Sequence, residues 1–211
     1  DVYKKDLAGT EKVDALREIA LDWDAILGPG QTGVVLVTAE QLGKPATPDN
    51  LSGVLLGIPS GVQGVRATLM LMRSLARSFK TNLTIRQKAA ALTQNLAQKD
   101  WSGQVRALHN FVRDGIRYIK DVDGVETVQT PLFTLQNEYG DCDDKSTLLA
   151  SLLASIGHPS RFLAIGMEPG RYSHVLVETR IGDKWIPLET TAPVPPGWLP
   201  RAPSKMRSFN V

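Results

Sequence analysis

A single cysteine in 211 residues leaves no partner for an intramolecular disulfide, so packing alone must hold the fold and no oxidising compartment is required. A net charge of +2 is too small to argue for nucleic-acid binding, and no block of one sign stands out. No apolar run approaches the roughly 18 residues of a membrane span; Gly33-Val-Val-Leu-Val37 is only strand-length. A signal-peptide pattern is absent from the start, but the sequence begins at Asp1 rather than Met, which leaves targeting open. Against these absences, 42% hydrophobic and 22% charged residues describe an ordinary soluble globular chain, long enough for one full core or one domain with an appendage.

Three segments differ in composition. Residues 1–64 read as an extension without any motif that carries chemistry. Within it, Thr10 to Leu27 has helical spacing and stops at Gly28-Pro29-Gly30, and Val34 to Thr38 reads as a short strand. Gln41 to Gly64 is loop-like in its glycines and prolines, yet Leu51, Val54, Leu55, Leu56 and Ile58 make it too apolar for a solvated linker. Residues 65–191 are the main domain. Helices are expected over Arg66 to Phe79, over Thr84 to Ala97 with Thr84 as cap, and after an Asp100 cap. Residues 192–211 form a proline-rich tail, expected to be extended and to depend on docking for order. The extension and the tail are the candidate assembly surfaces; the alternative is that both simply wrap the domain's own core.

The chain is organised around Gly140-Asp141-Cys142-Asp143-Asp144-Lys145-Ser146. Leu148, Leu149, Leu152, Leu153 and Ile156 follow at three- and four-residue spacing, an amphipathic helix closed by Gly157. Cys142 stands in its first turn, where the helix dipole and free backbone N–H groups favour thiolate. Downstream, His174 opens the alternating strand His174-Val-Leu-Val-Glu-Thr179, Gly182-Asp183 marks a hairpin, and Glu189 ends Trp185-Ile-Pro-Leu-Glu189. A cysteine, a histidine and an orienting carboxylate in that order are the parts of a nucleophilic site. Gln136, six residues before the cysteine, is a candidate oxyanion donor alongside the Cys142 N–H. His109 reads as a surface or helix-packing histidine, and His158 as a cation complementing the helix C-terminus. Asp141, Asp143 and Asp144 read as an acidic helix start rather than a metal site. The pattern calls for no cofactor and no metal.

Gly140-Asp-Cys-Asp-Asp, the leucine-rich helix, Ser173-His-Val-Leu-Val-Glu178 and Lys184-Trp-Ile-Pro-Leu-Glu189-Thr together resemble the transglutaminase-like superfamily over roughly Val65 to Ala192. The resemblance implies an α+β, papain-like fold with the cysteine on a central helix and the histidine and acid on a small antiparallel sheet. It implies Cys142 as nucleophile, His174 as base and Glu189 as orienting acid. The family usually has aspartate and a proline-containing turn at that last position, where this chain has Glu189-Thr190. Cleavage or transfer of amide acyl groups on a protein or peptide substrate is the implied activity, with a non-catalytic interaction or structural protein on the same fold as the alternative. A narrower resemblance, to transglutaminase-like proteins encoded among bacteriophage structural genes, implies a virion-associated or host-cytoplasmic role.

Overall fold

Three helices lead into the core, the second and third begun by a side chain that accepts a free backbone N–H. The computed structural model describes residues 33–37, 51–56, 62–121, 126–169, 171–200, 203 and 205–211, so the helix expected over Thr10 to Leu27 lies outside the described residues. Helix α1, Val62–Phe79, buries Leu69, Leu71, Met72, Leu75 and Phe79. Helix α2, Leu83–Thr93, starts one residue earlier than expected because Asn82, not Thr84, is its cap; the Asn82 side chain accepts from the Ile85 N–H at 3.2 Å. It also stops short of Ala97, the chain leaving the helix in a turn closed by the Leu96 N–H to the Thr93 carbonyl. Helix α3, Trp101–Gly115, is capped by Asp100 as expected, with the Gly103 N–H at 2.9 Å.

Before and after these helices lie short strands. Strand β1, Gly33–Val37, pairs antiparallel with β2, Leu51–Leu56, which pairs antiparallel with β4, Glu126–Gln129. The 51–56 stretch is therefore a strand rather than a loop. Glycines and prolines that argue against a helix serve equally well to bound a short apolar strand. Strand β3, Arg117–Tyr118, lies parallel to β5, Tyr139–Gly140, after helix α4, Pro131–Asn137.

Helix α5, Cys142–Ser155, is the centre of the molecule. Every residue from Asp143 to Leu153 is buried, where sequence spacing suggested one apolar face. The reason is that α1, α2, α3 and α4 pack around it and strands β6 and β7 close the remaining side. Its polar residues are admitted because they find partners. Thr147 and Ser151 bond back to the carbonyls of Asp143 (2.7 Å) and Thr147 (2.8 Å), and Ser146 reaches the Val175 carbonyl at 3.3 Å. Gly157, at φ 91°, ends the helix as its sequence position suggests.

The main sheet has the order β8-β7-β6-β9 and is antiparallel throughout: β6 Ser160–Gly166, β7 His174–Ile181, β8 Lys184–Leu188 and β9 Lys205–Asn210. Pro187 sits on the edge strand β8, the one place where its missing N–H is tolerated. The end of the tail is not a loose extended segment: β9 pairs with β6 along its length, and Phe209 and Val211 pack on the core. The architecture is the expected α+β one, a cysteine-bearing helix against a small antiparallel sheet. No described helix is long and apolar enough to cross a membrane.

Candidate active site

Each residue of Gly140-Asp-Cys-Asp-Asp has a job at the start of α5. Asp141 is the N-cap, its carboxylate accepting the N–H groups of Asp143 (2.9 Å) and Asp144 (3.3 Å). Asp144 completes a capping box by accepting the Asp141 N–H at 3.1 Å, and its other oxygen takes the Gln129 N–H at 2.7 Å. Gly140 passes directly over that carboxylate: a Cβ there would stand 2.6 Å from the Asp144 Cβ. This framework holds Cys142 as the first helical residue.

The thiol itself departs from expectation. Although Cys142 keeps part of its surface open, crowding around the thiol pushes its pKa well above the ordinary range. The negative charges of Asp143 and Asp141 push the same way, outweighing the Val175 N–H that favours thiolate. At rest the thiol is protonated and lies 3.4 Å from an Asp143 oxygen, to which it donates. The helix start that was expected to acidify Cys142 is itself lined with carboxylates.

His174 and Glu189 meet. The hairpin of β7 and β8 sets Val177 opposite Leu188, and the chain just beyond brings the Glu189 carboxylate to 2.6 Å from His174 Nε2. Glu189 is 2% exposed. Burial would raise its pKa, but the His174 bond and charge and the Thr191 hydroxyl (2.7 Å) and N–H (2.6 Å) hold it down, to about 2. An ionised carboxylate only accepts, so His174 carries its proton on Nε2 and keeps the lone pair of the neutral ring on Nδ1. The glutamate that stands where aspartate is usual thus has a dedicated cradle in Thr191, two residues on.

Three further residues at this site escaped the sequence reading. His109 is the helix-packing histidine of the two expected alternatives, fully buried, but its Nε2 also lies 2.6 Å from the Glu189 backbone carbonyl, which was not foreseen. Lys145, 1% exposed, donates to the Arg113 and Ile116 carbonyls at the end of α3, the former at 3.2 Å. Burial lowers its pKa to about 8 against the opposing pull of Glu189 and Asp114. Thr191 is the third. His109 and Lys145 bond backbone carbonyls and Thr191 bonds the Glu189 carboxylate, contacts that leave no periodic trace in a sequence.

The remaining candidates have other surroundings. Gln136 is exposed on α4 and lines an open hollow of about 620 Å³ with Phe79, Asn82 and Thr84. His158 is buried, its Nε2 2.9 Å from Gln104 Oε1, and burial lowers its pKa, so it is a neutral packing histidine and not a dipole-complementing cation. Ligand atoms of Asp141, Cys142 and Asp143 fall within 4.8 Å of one another, but the cap and the thiol bond already occupy them. Tyr118 and Ile119, both exposed, lie where β3 runs beside β5 into Asp141; Cys142, Asp141 and Asp143 add to burial in raising the Tyr118 pKa.

Residues 86–190 match the model of the transglutaminase-like superfamily. Among solved structures, a candidate cysteine protease from Cytophaga hutchinsonii aligns at 16% identity with TM-score 0.44, covering 61% of this chain and 50% of that one. A candidate protease from Parabacteroides distasonis aligns at 16% identity with TM-score 0.47, covering 61% of this chain and 27% of that one. This chain thus accounts for half or less of the length of either protein. No curated protein matches. The matched segment holds Cys142 at the start of the central helix, His174 on the antiparallel sheet and Glu189 just past the sheet's edge strand.

Proposed function

We propose that this protein is a thiol enzyme that cleaves or transfers amide acyl groups of a protein or peptide substrate, with Cys142 as nucleophile, His174 as base and Glu189 as orienting acid. The 2.6 Å contact between His174 Nε2 and a Glu189 carboxylate that is 2% exposed carries the reading. A buried carboxylate held on an imidazole is a costly arrangement unless the imidazole must become charged.

Because the resting thiol is protonated, the cycle begins with proton transfer. His174 Nδ1 takes the Sγ proton as sulfur adds to the substrate carbonyl, and Glu189 stabilises the resulting imidazolium. The Cys142 backbone N–H, first in its helix and without an intrahelical acceptor, faces the developing oxyanion. Gln136 is the second donor expected from sequence; its exposed place on α4 means that Gln136→Ala tests that role separately. Collapse of the tetrahedral adduct breaks the C–N bond, and the leaving amine takes the proton from His174. Water then hydrolyses the thioester, or an amine accepts the acyl group.

One observation favours a non-catalytic reading: the thiol is bonded to Asp143, and burial, followed by the charges of Asp143 and Asp141, disfavours its ionisation. None of the similarities described above points to a bacteriophage protein. Acylation by p-nitrophenyl acetate, which demands nothing of substrate identity, decides between catalyst and scaffold. The expected result is a burst of p-nitrophenolate with acetyl on Cys142 by mass spectrometry, at least ~100-fold slower in His174→Ala. A folded protein that releases no burst, or one whose burst survives His174→Ala, overturns the proposal.

A further inference from the structure

We infer that His109 is a positioning residue that fixes Glu189 through its backbone, an inference that rests on the triad reading above. The β7–β8 ladder ends at the Val177–Leu188 pair, so Glu189 lies one residue beyond the sheet that aligns His174. His174 itself is pinned, paired with Ile165 on β6. The acid lacks that support, and its backbone carbonyl is instead held by His109 Nε2 at 2.6 Å. A carbonyl can only accept, so His109 is the Nε2–H tautomer. Its Nδ1 is buried without a hydrogen-bond partner, and burial, the largest influence, lowers the ring's pKa. A buried unsatisfied nitrogen costs free energy that an aliphatic side chain would avoid. What offsets that cost is the bond that Nε2 makes to Glu189.

The same helix also holds the nucleophile's side of the site. Lys145, one turn after Cys142 on α5, donates to the Arg113 and Ile116 carbonyls at the C-terminal end of α3. Helix α3 is therefore tied through Lys145 to the helix that bears the thiol and through His109 to the residue that bears the acid. The distance between nucleophile and acid is set through α3 as well as through the sheet. Misplacement by about 1 Å is enough to cost as much as ~100-fold in rate.

The test uses the full chain, p-nitrophenyl acetate acylation and a double-mutant cycle. His109→Met keeps bulk without a donor; His109→Gln puts an amide N–H as many bonds from Cα as Nε2. The expected results are acylation slowed ~10- to 100-fold in His109→Met and recovered to within about threefold in His109→Gln. In a Glu189→Gln background, His109→Met should slow acylation by less than about twofold, because the route through the acid is already lost. A His109→Met protein as fast as wild type, while Glu189→Gln is slow, overturns this inference and leaves the triad reading standing. Equal slowing in both backgrounds, or unfolding of both His109 variants, overturns it by assigning His109 to packing alone. A wild-type protein whose Cys142 does not acylate overturns the triad reading, and the inference falls with it.

Discussion

Asp143 is the residue that most directly sets the state of the nucleophile. It accepts the thiol's hydrogen bond at 3.4 Å, and its charge follows burial as the next-largest influence raising the thiol's pKa. Asp143→Asn removes the charge, so thiolate absorbance should appear at lower pH than in the wild type; an unchanged titration would show that burial alone governs Cys142. Glu189 gives a pH prediction of opposite sense. Its pKa falls from 4.5 to about 2 on folding, so it stabilises the fold above about pH 4.5 and that contribution is lost as pH falls towards 2. The shift is worth at most about 3 kcal/mol. The stability difference between wild type and Glu189→Gln should therefore shrink over that acid window, as read by denaturant unfolding at each pH; a difference independent of pH would mean that Glu189 is not charged against His174. Cys142, His174 and Glu189 stand out in the sequence as candidates because each has chemistry that few other side chains share. Thr191, His109 and Lys145 do not. A threonine, a helix histidine one place off the apolar stripe and a lysine in a helix start have common uses, and only the folded backbone shows which carbonyl or carboxylate each one meets.

At the scale of elements, the start of α5 is the part most sensitive to small change. Gly140→Ala would put a Cβ 2.6 Å from the Asp144 Cβ, a backbone-proximal atom with little room to retreat. The capping box would have to open, and the Gln129 N–H that Asp144 also holds would lose its acceptor. A loss of roughly 1–3 kcal/mol is expected, with slower acylation of Cys142 because its helix start moves. A variant with wild-type stability and rate would show that the chain relaxes around the methyl group at no cost. Helix α3 and strands β6 to β8 were readable within a residue or two, since Asp100, Gly182 and the alternation after His174 are local signals. Helix α5 was readable in position but not in environment. Its serines, threonine and lysine look like a solvent face until their partners, all backbone carbonyls, are known.

Over the whole molecule, the segments that composition sets apart join the domain through sheet hydrogen bonds, which no composition can reveal. Strand β2 pairs with β4, so residues before 65 contribute to a sheet that also contains 126–129. The tail does so more extensively. Arg113 donates to the Val194 carbonyl at 2.8 Å, the Gly197 N–H to that of Pro187 at 2.8 Å and the Val211 N–H to that of Ser160 at 3.1 Å. Strand β9 covers the edge of β6 from Arg161 to Gly166. A chain ending at Thr191 would leave that edge open, uncover the core beneath Phe209 and Val211, and present an unpaired strand to other molecules. Losing these contacts should cost several kcal/mol, lowering the melting temperature by ~10 °C or more, with aggregates in size-exclusion chromatography. The assembly role for residues 1–64 and 192–211 predicts the opposite: a monodisperse shortened chain that melts as the full chain does. Melting and light scattering on chains 65–191 and 65–211 separate the two, because the second restores the tail, β9 included, without residues 1–64. If 65–211 regains cooperative melting that 65–191 lacks, the tail is part of the domain. If both melt alike, its strand is free to be given to a partner.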